Sequence, residues 1–232
     1  MHSGFISGAS AEHVSPASLD LTLTDELYCI RGLILPRVGE AVADLLPLME
    51  ATKADISEPL QCGSLYLARL NESLTLPEQV YGYCNPKSST GRLDMHVRVL
   101  ADGVPRYDSI TPAGYRGSLW VALAPKSFAI QLHTGTPLTQ LRLFTGDTRF
   151  SELELEITLK DGLVWHSTED RSLCYRELVT NDQDGAVVLT ALVGGEHCGY
   201  VCTASPDQVL DVAKVDGYDA AEFFAPVEPD DG

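Results

Sequence analysis

Apolar and polar residues alternate through "SLDLTLTDELYCI" (18–30), the pattern of a strand with one buried face. The same period recurs from residue 60 in short runs separated by Gly, Pro, Asn and Asp. These are "SLYLARL" (64–70), "MHVRVL" (95–100), "SLWVALA" (118–124), "SFAIQLH" (127–133), "TQLRLF" (139–144) and "LELEITL" (153–159). "DGLVWH" and "AVVLTALVG" read as further strands. Helical spacing occurs twice. In "VGEAVADLLPLMEA" (38–51) the apolar positions are Val38, Val42, Leu45, Leu46 and Met49, and Pro47 limits the helix to a short or broken one. "SPDQVLDVAK" (205–214) predicts a short helix with Ser205 as N-cap and Pro206 at the first helical position. Residues 1–17 read as a loose arm and "APVEPDDG" as an acidic tail. Many short strands with few short helices predict a mainly β protein, a barrel or jelly roll. A soft boundary near 150–160 separates a barrel over 1–150 from a second β-rich segment over 151–232.

Composition narrows the function. The 232 residues are 44% hydrophobic, enough for a packed core, and carry a net charge of −17. That charge argues against non-specific binding to nucleic acid or to an anionic membrane. It is unevenly spread: residues 85–149 hold eight Lys and Arg against four Asp, a net +4, while the remainder carries −21. A positive island in a negative chain is a place to look for a small anionic ligand. The six cysteines are scattered with no C-x-x-C pair, and read as isolated thiols, Cys198 and Cys202 beside His197 included. The N-terminus has no basic stretch followed by an apolar run, and no apolar segment reaches membrane-spanning length. The expected setting is a reduced cytoplasm.

The island contains "NPKSSTGRLD" (85–94), with six groups suited to anions or to a tight turn around one. Lys87 offers a point charge, Arg92 a planar fork, Ser88, Ser89 and Thr90 rotatable hydroxyls, and Gly91 close backbone approach, with Pro86 fixing the entry. The composition alone fits a solvated polar turn equally well.

Order along the chain distinguishes the two. "SPASLDLTL" (15–23), then "NPKSSTGRLD", then "PAGYRGSLWVALAPKSFAIQLHTGTPLTQLRLF" (112–144) resembles the dCTP deaminase and dUTPase superfamily, and most of all its longer bacterial dCTP deaminases. The likeness runs from about residue 14 to 146. It implies a dUTPase-like distorted β-barrel of the β-clip type, assembled as a homotrimer with pockets between subunits. It also implies that dCTP, or dUTP, is held with Mg2+ carried on the triphosphate, and that dCTP is deaminated hydrolytically to dUTP and ammonia without zinc. The sequence agrees on the last point, since the His-x-Glu and Pro-Cys-x-x-Cys set of zinc deaminases is absent. By resemblance Lys87 and Ser89 bind phosphates, Ser88 holds a phosphate or the attacking water, and Arg92 reaches the pyrimidine across a subunit interface. Past residue 160 the likeness loosens; longer members carry a second related half, and this chain stops where that half would be starting.

One position departs from the pattern. Counting from Gly114 and Gly117, the family's general-base glutamate falls at Ala122, and no glutamate occurs between residues 79 and 151. A positioned base contributes about 10²–10⁴-fold to such a step, and alanine contributes none of it. Asp94, Asp102, Asp108 and Asp147 are the neighbouring carboxylates, on strands that do not aim them at the same atom. Three readings stand: an engineered, inactivated deaminase, a natural member with altered chemistry or a binding role, or a member whose partner half supplies the carboxylate. Diphosphohydrolase chemistry is also poorly equipped, because the dUTPase aspartate falls at Pro112. His96 and His133 read as packed or surface histidines, and Trp120 and Tyr115 as core or interface aromatics, with Tyr115 also a candidate for lining the base pocket.

Overall fold

The computed structural model describes residues 4–145 and 199–228, and between them five short strands. The chain divides into two compact units, one of residues 1–145 with 202–225 and one of residues 146–201 with 226–232. In the first unit the elements are β1 (Ile6–Ser7), β2 (Leu19–Ile30), β3 (Thr52–Ala54), β4 (Leu65–Thr75), β5 (Val80–Pro86), α1 (Ser88–Arg92), β6 (Met95–Ala101), β7 (Ser109–Ile110), β8 (Arg116–Pro125), β9 (Ala129–Gln131) and β10 (Pro137–Thr145). Then come β11 (Thr158–Lys160), β12 (Leu163–Trp165), β13 (Cys174–Arg176), β14 (Thr180–Asn181), β15 (Ala186–Val187), β16 (Gly199–Cys202), β17 (Val209–Asp211) and β18 (Phe224–Val227). The second unit contains an antiparallel β11-β12-β13 sheet and a β14-β15 pair. Most of "LELEITL" lies outside the described residues. Among those described, no helix is long and apolar enough to cross a membrane.

The first unit is the expected mainly β barrel, an antiparallel sheet in the order β6-β8-β4-β2-β10-β5-β7 with β1 on β4 and β3 on β2. Asp108 joins its two ends. The Asp108 N–H donates to Val99 O on β6 at 2.9 Å, and its C=O accepts from Cys84 N on β5 at 2.7 Å. Its carboxylate accepts from Val99 N–H and from Arg98 Nη1, both at 2.8 Å. The barrel interior takes Leu19, Leu21 and Leu23 from β2 and Leu119, Val121 and Leu123 from β8, every second residue of each strand.

β8 is apolar on its other face as well. There Trp120 and Ala122 pack with Leu67 and Leu100 beneath a cap, residues 31–51, that contributes Val42, Leu45 and Met49. Double coverage explains why "SLWVALA" reads as a nearly unbroken apolar run. The predicted helix over 38–51 contracts to a single 3-10 turn, Val42–Leu45. Pro47 has no N–H to donate, and the chain swings into a left-handed conformation at Glu50 (φ 50°). The helical spacing still turns three side chains downward. Asp102 fastens the cap: its carboxylate accepts from Val42 N–H at 2.8 Å and Ser118 N–H at 3.0 Å, bridging cap and β8.

The helix predicted over 205–214 is absent. "SPDQ" closes a turn, with Gln208 N–H on Ser205 O at 2.9 Å, and Val209–Asp211 forms β17. β17 runs parallel to β9, whose free edge supplies backbone partners that outweigh a weak local preference for helix.

β2 leaves β4 at an irregularity between Leu23 and Leu27. Beside it lies Glu72, only 1% exposed, whose carboxylate accepts from Thr22 N–H at 3.0 Å and Thr22 Oγ1–H at 2.8 Å. Burial raises its pKa above the ordinary 4.5, against the lowering effect of these bonds. The protonated form is therefore favoured by folding. Its contribution is fully present below pH 4.5 and is lost as pH rises through the raised value. Unfolding in denaturant across pH is expected to show the unaltered chain losing stability relative to Glu72→Gln as pH increases through this range. A flat or rising difference would contradict the assignment.

Candidate functional site

The 85–94 stretch forms where β5 ends against β10. Pro86 and Asn85 pair with Thr139 and Gln140, and Thr139 Oγ1 donates to Asn85 O at 3.0 Å. Lys87 N–H then donates to Leu138 O at 3.0 Å, and the chain turns into α1, one helical turn rather than an open loop. Thr90 is buried, its hydroxyl donating to Leu138 O at 2.8 Å. At the far end Asp94 takes a left-handed φ of 48°, accepts from Lys126 N at 3.0 Å through its C=O, and receives the Ser127 hydroxyl on its carboxylate. The turn is thus pinned from below at both ends.

What remains exposed is Ser88, Ser89, Gly91 and Arg92. Ser88 and Arg92 are four apart and share a helix face. Two hydroxyls and a guanidinium with no partner among the described residues can together hold phosphate oxygens, the guanidinium taking two at once. At Gly91 φ is not left-handed, and an added Cβ would meet no other atom of the chain within 4 Å.

The Lys87 ammonium is ion-paired with the Asp20 carboxylate, with side chains 28% and 15% exposed. Asp20 belongs to "SPASLDLTL", and sequence reasoning missed it. Its signal was an acid between the buried Leu19 and Leu21 of β2, but no local pattern names the partner. Tyr115 lies in the barrel core with its hydroxyl donating to Ser118 O at 2.8 Å, and burial, then the nearby Asp102, raises its pKa. In this structure it faces the core rather than an open pocket.

Ala122 is brought together with Trp120, Leu67 and Leu100 under the cap, a cluster to which no residue of 85–94 belongs. Across the ladder it stands between Leu67 on β4 and Arg98 on β6. The other nearby carboxylates are committed: Asp94 to the turn, Asp102 to the cap, Asp108 to barrel closure. Asp147 lies outside the described residues. His96 is exposed, and His133 Nε2 meets Asp211 Oδ1 at 2.7 Å. Among the described residues, no group of three or more His, Cys, Asp or Glu side chains comes together as a metal-binding set.

Residues 4–147 match the family described as the 2'-deoxycytidine 5'-triphosphate deaminase (DCD) N-terminal domain. The structure is similar to the crystal structure of 2'-deoxycytidine 5'-triphosphate deaminase from Agrobacterium tumefaciens. The two are 31% identical with a TM-score of 0.69, over 96% of this chain. The chain spans 64% of the length of that relative. The dUTPase of EIAV (16% identity, TM-score 0.33, 63% of this chain and 88% of that one) and that of Staphylococcus bacteriophage 80alpha (12%, 0.32, 64% and 85%) are more distant. No curated protein matches the sequence.

Proposed function

Because the chain belongs to the 2'-deoxycytidine 5'-triphosphate deaminase N-terminal domain family, we propose that it binds dCTP and serves its hydrolytic deamination to dUTP and ammonia. The observation that carries this reading is the exposed Ser88–Ser89–Arg92 triplet on a pinned turn inside the family match. Ser88 and Ser89 donate to phosphate oxygens, Ser88 stands also to hold the attacking water, and Arg92 supplies the charge. Mg2+ arrives as part of the substrate, chelated by the triphosphate. The protein acts in the cytoplasm, a setting supported by the unpaired thiols of Cys29, Cys62, Cys84 and Cys202. It acts as a homotrimer, which light scattering in solution checks.

Calorimetric titration with dCTP and Mg2+ tests the site. Saturable binding is expected, weakened in Arg92→Ala by about 1.5–3 kcal/mol, roughly ten- to hundredfold, because a hydrogen bond to a charged group is lost. The melting temperature should not move, since Arg92 is exposed. Equal affinity in the variant would remove the turn from the reading.

A second reading is favoured by Ala122 and its apolar enclosure: a deoxynucleotide-binding barrel without catalysis of its own. Ammonia release from dCTP separates the two. Release above that of protein-free buffer supports the deaminase, and tight binding without release supports the non-catalytic barrel.

A further inference from the structure

The Lys87–Asp20 pair bears on how the turn is built. Asp20 on β2 stands opposite Gln140 on β10, and Gln140 stands opposite Asn85 on β5. Lys87 follows β5 by one residue and reaches back across β10, a strand beyond its backbone partner Leu138, to close on Asp20. Two mostly covered side chains of opposite charge are thereby joined over three adjacent strands at the entry to α1.

We propose that Lys87 is a positioning residue rather than a phosphate ligand. Its ammonium staples the start of α1 to β2, and the phosphates fall to Ser88, Ser89 and Arg92. The inference rests on the reading of the turn as a triphosphate site. To reach a phosphate, the ammonium has to leave Asp20. That would strand a carboxylate only 15% exposed, next to an incoming polyanion, which is an unfavourable exchange. While the pair is intact it presents little net charge to the ligand, so the attraction comes from Arg92, which has no ion-pair partner among the described residues. The specificity-determining feature is then the orientation of one helical turn. Asp20 sets it from a strand that itself contributes nothing to the exposed donor set.

A charge-reversal cycle tests this, with dCTP·Mg2+ affinity by calorimetry and amide hydrogen exchange as separate readouts. Asp20→Asn and Lys87→Met are each expected to weaken binding roughly tenfold, with the double variant no weaker than either. Asp20→Lys combined with Lys87→Asp is expected to return the affinity to within about threefold of the unaltered chain, although it places an acid beside the ligand. A phosphate-ligating lysine gives the opposite result: Asp20→Asn binds more tightly, and the reversed pair binds as poorly as Lys87→Asp alone. Either outcome overturns the proposal. Without nucleotide, the Gly91 and Leu93 amides, which donate within the turn, should exchange faster in Asp20→Asn and regain protection in the reversed pair. Unchanged exchange overturns the positioning role even if the chain binds no dCTP, a failure that would belong to the function reading alone.

Discussion

Ala122→Glu is expected to destabilise the first unit by about 3 kcal/mol, and to leave ammonia release from dCTP at the level of the unaltered chain. On the family pattern the substitution looks like a repair. In the structure Ala122 is 5% exposed among Trp120, Leu67 and Leu100, beneath Val42, Leu45 and Met49. Four extra heavy atoms, two of them the oxygens of an ionisable carboxyl, must fit where a methyl now sits. Arg98 stands directly across the ladder but is held at 2.8 Å by Asp108, which joins the two ends of the sheet. Drawing Arg98 inward would loosen that closure, and leaving it in place would strand a buried carboxylate. Denaturant unfolding gives the stability, and a coupled ammonia assay gives the rate. A rise of a hundredfold or more without loss of stability would show that the cap opens and that position 122 reaches the substrate.

Phe223→Ala should be at least as disruptive, with a loss of about 3–5 kcal/mol. Phe223 is 2% exposed and meets Phe128 edge-on at 5.0 Å between ring centroids, with Tyr218 at 5.6 Å. Its carbonyl accepts from Thr203 N and Ala204 N at 2.8 and 3.2 Å. It is the anchor by which residues 202–225 rejoin the barrel. The β17–β9 pairing is only three residues long and depends on that anchor. Amide exchange is therefore expected to accelerate at Ala129, which donates to Gln208 O, and at Val212, which donates to Gln131 O. The β8 amides should remain protected. Uniform acceleration across the barrel would instead make Phe223 part of one cooperative core.

Particular strands show how far the alternation carries. β2 was legible almost to the residue, because Leu19, Leu21 and Leu23 face one way and the residues between them the other. β5 was not, although it forms the approach to the candidate site. "VYGYCNP" holds Gly82, Asn85 and Pro86, which read locally as turn residues. In the barrel Gly82 is required because an added Cβ would lie 2.9 Å from Leu141 Cδ1 and 3.0 Å from Arg142 O. At the site, the exposed donors Ser88, Ser89 and Arg92 could be named from their chemistry. Lys87 and Tyr115 have the same kind of chemistry but are occupied, one by Asp20 and one by Ser118 O.

From residue order alone come the strand-rich architecture, the buried faces of its long strands and the cluster of anion-binding side chains. These are local properties, written in side-chain period and residue type. Which cation is already neutralised, which face of β8 is covered, and where residues 202–225 return were decided only by the folded chain. Each depends on groups dozens of residues apart meeting across strands, and no short-range pattern encodes the partner of a charge or the lid over an apolar face.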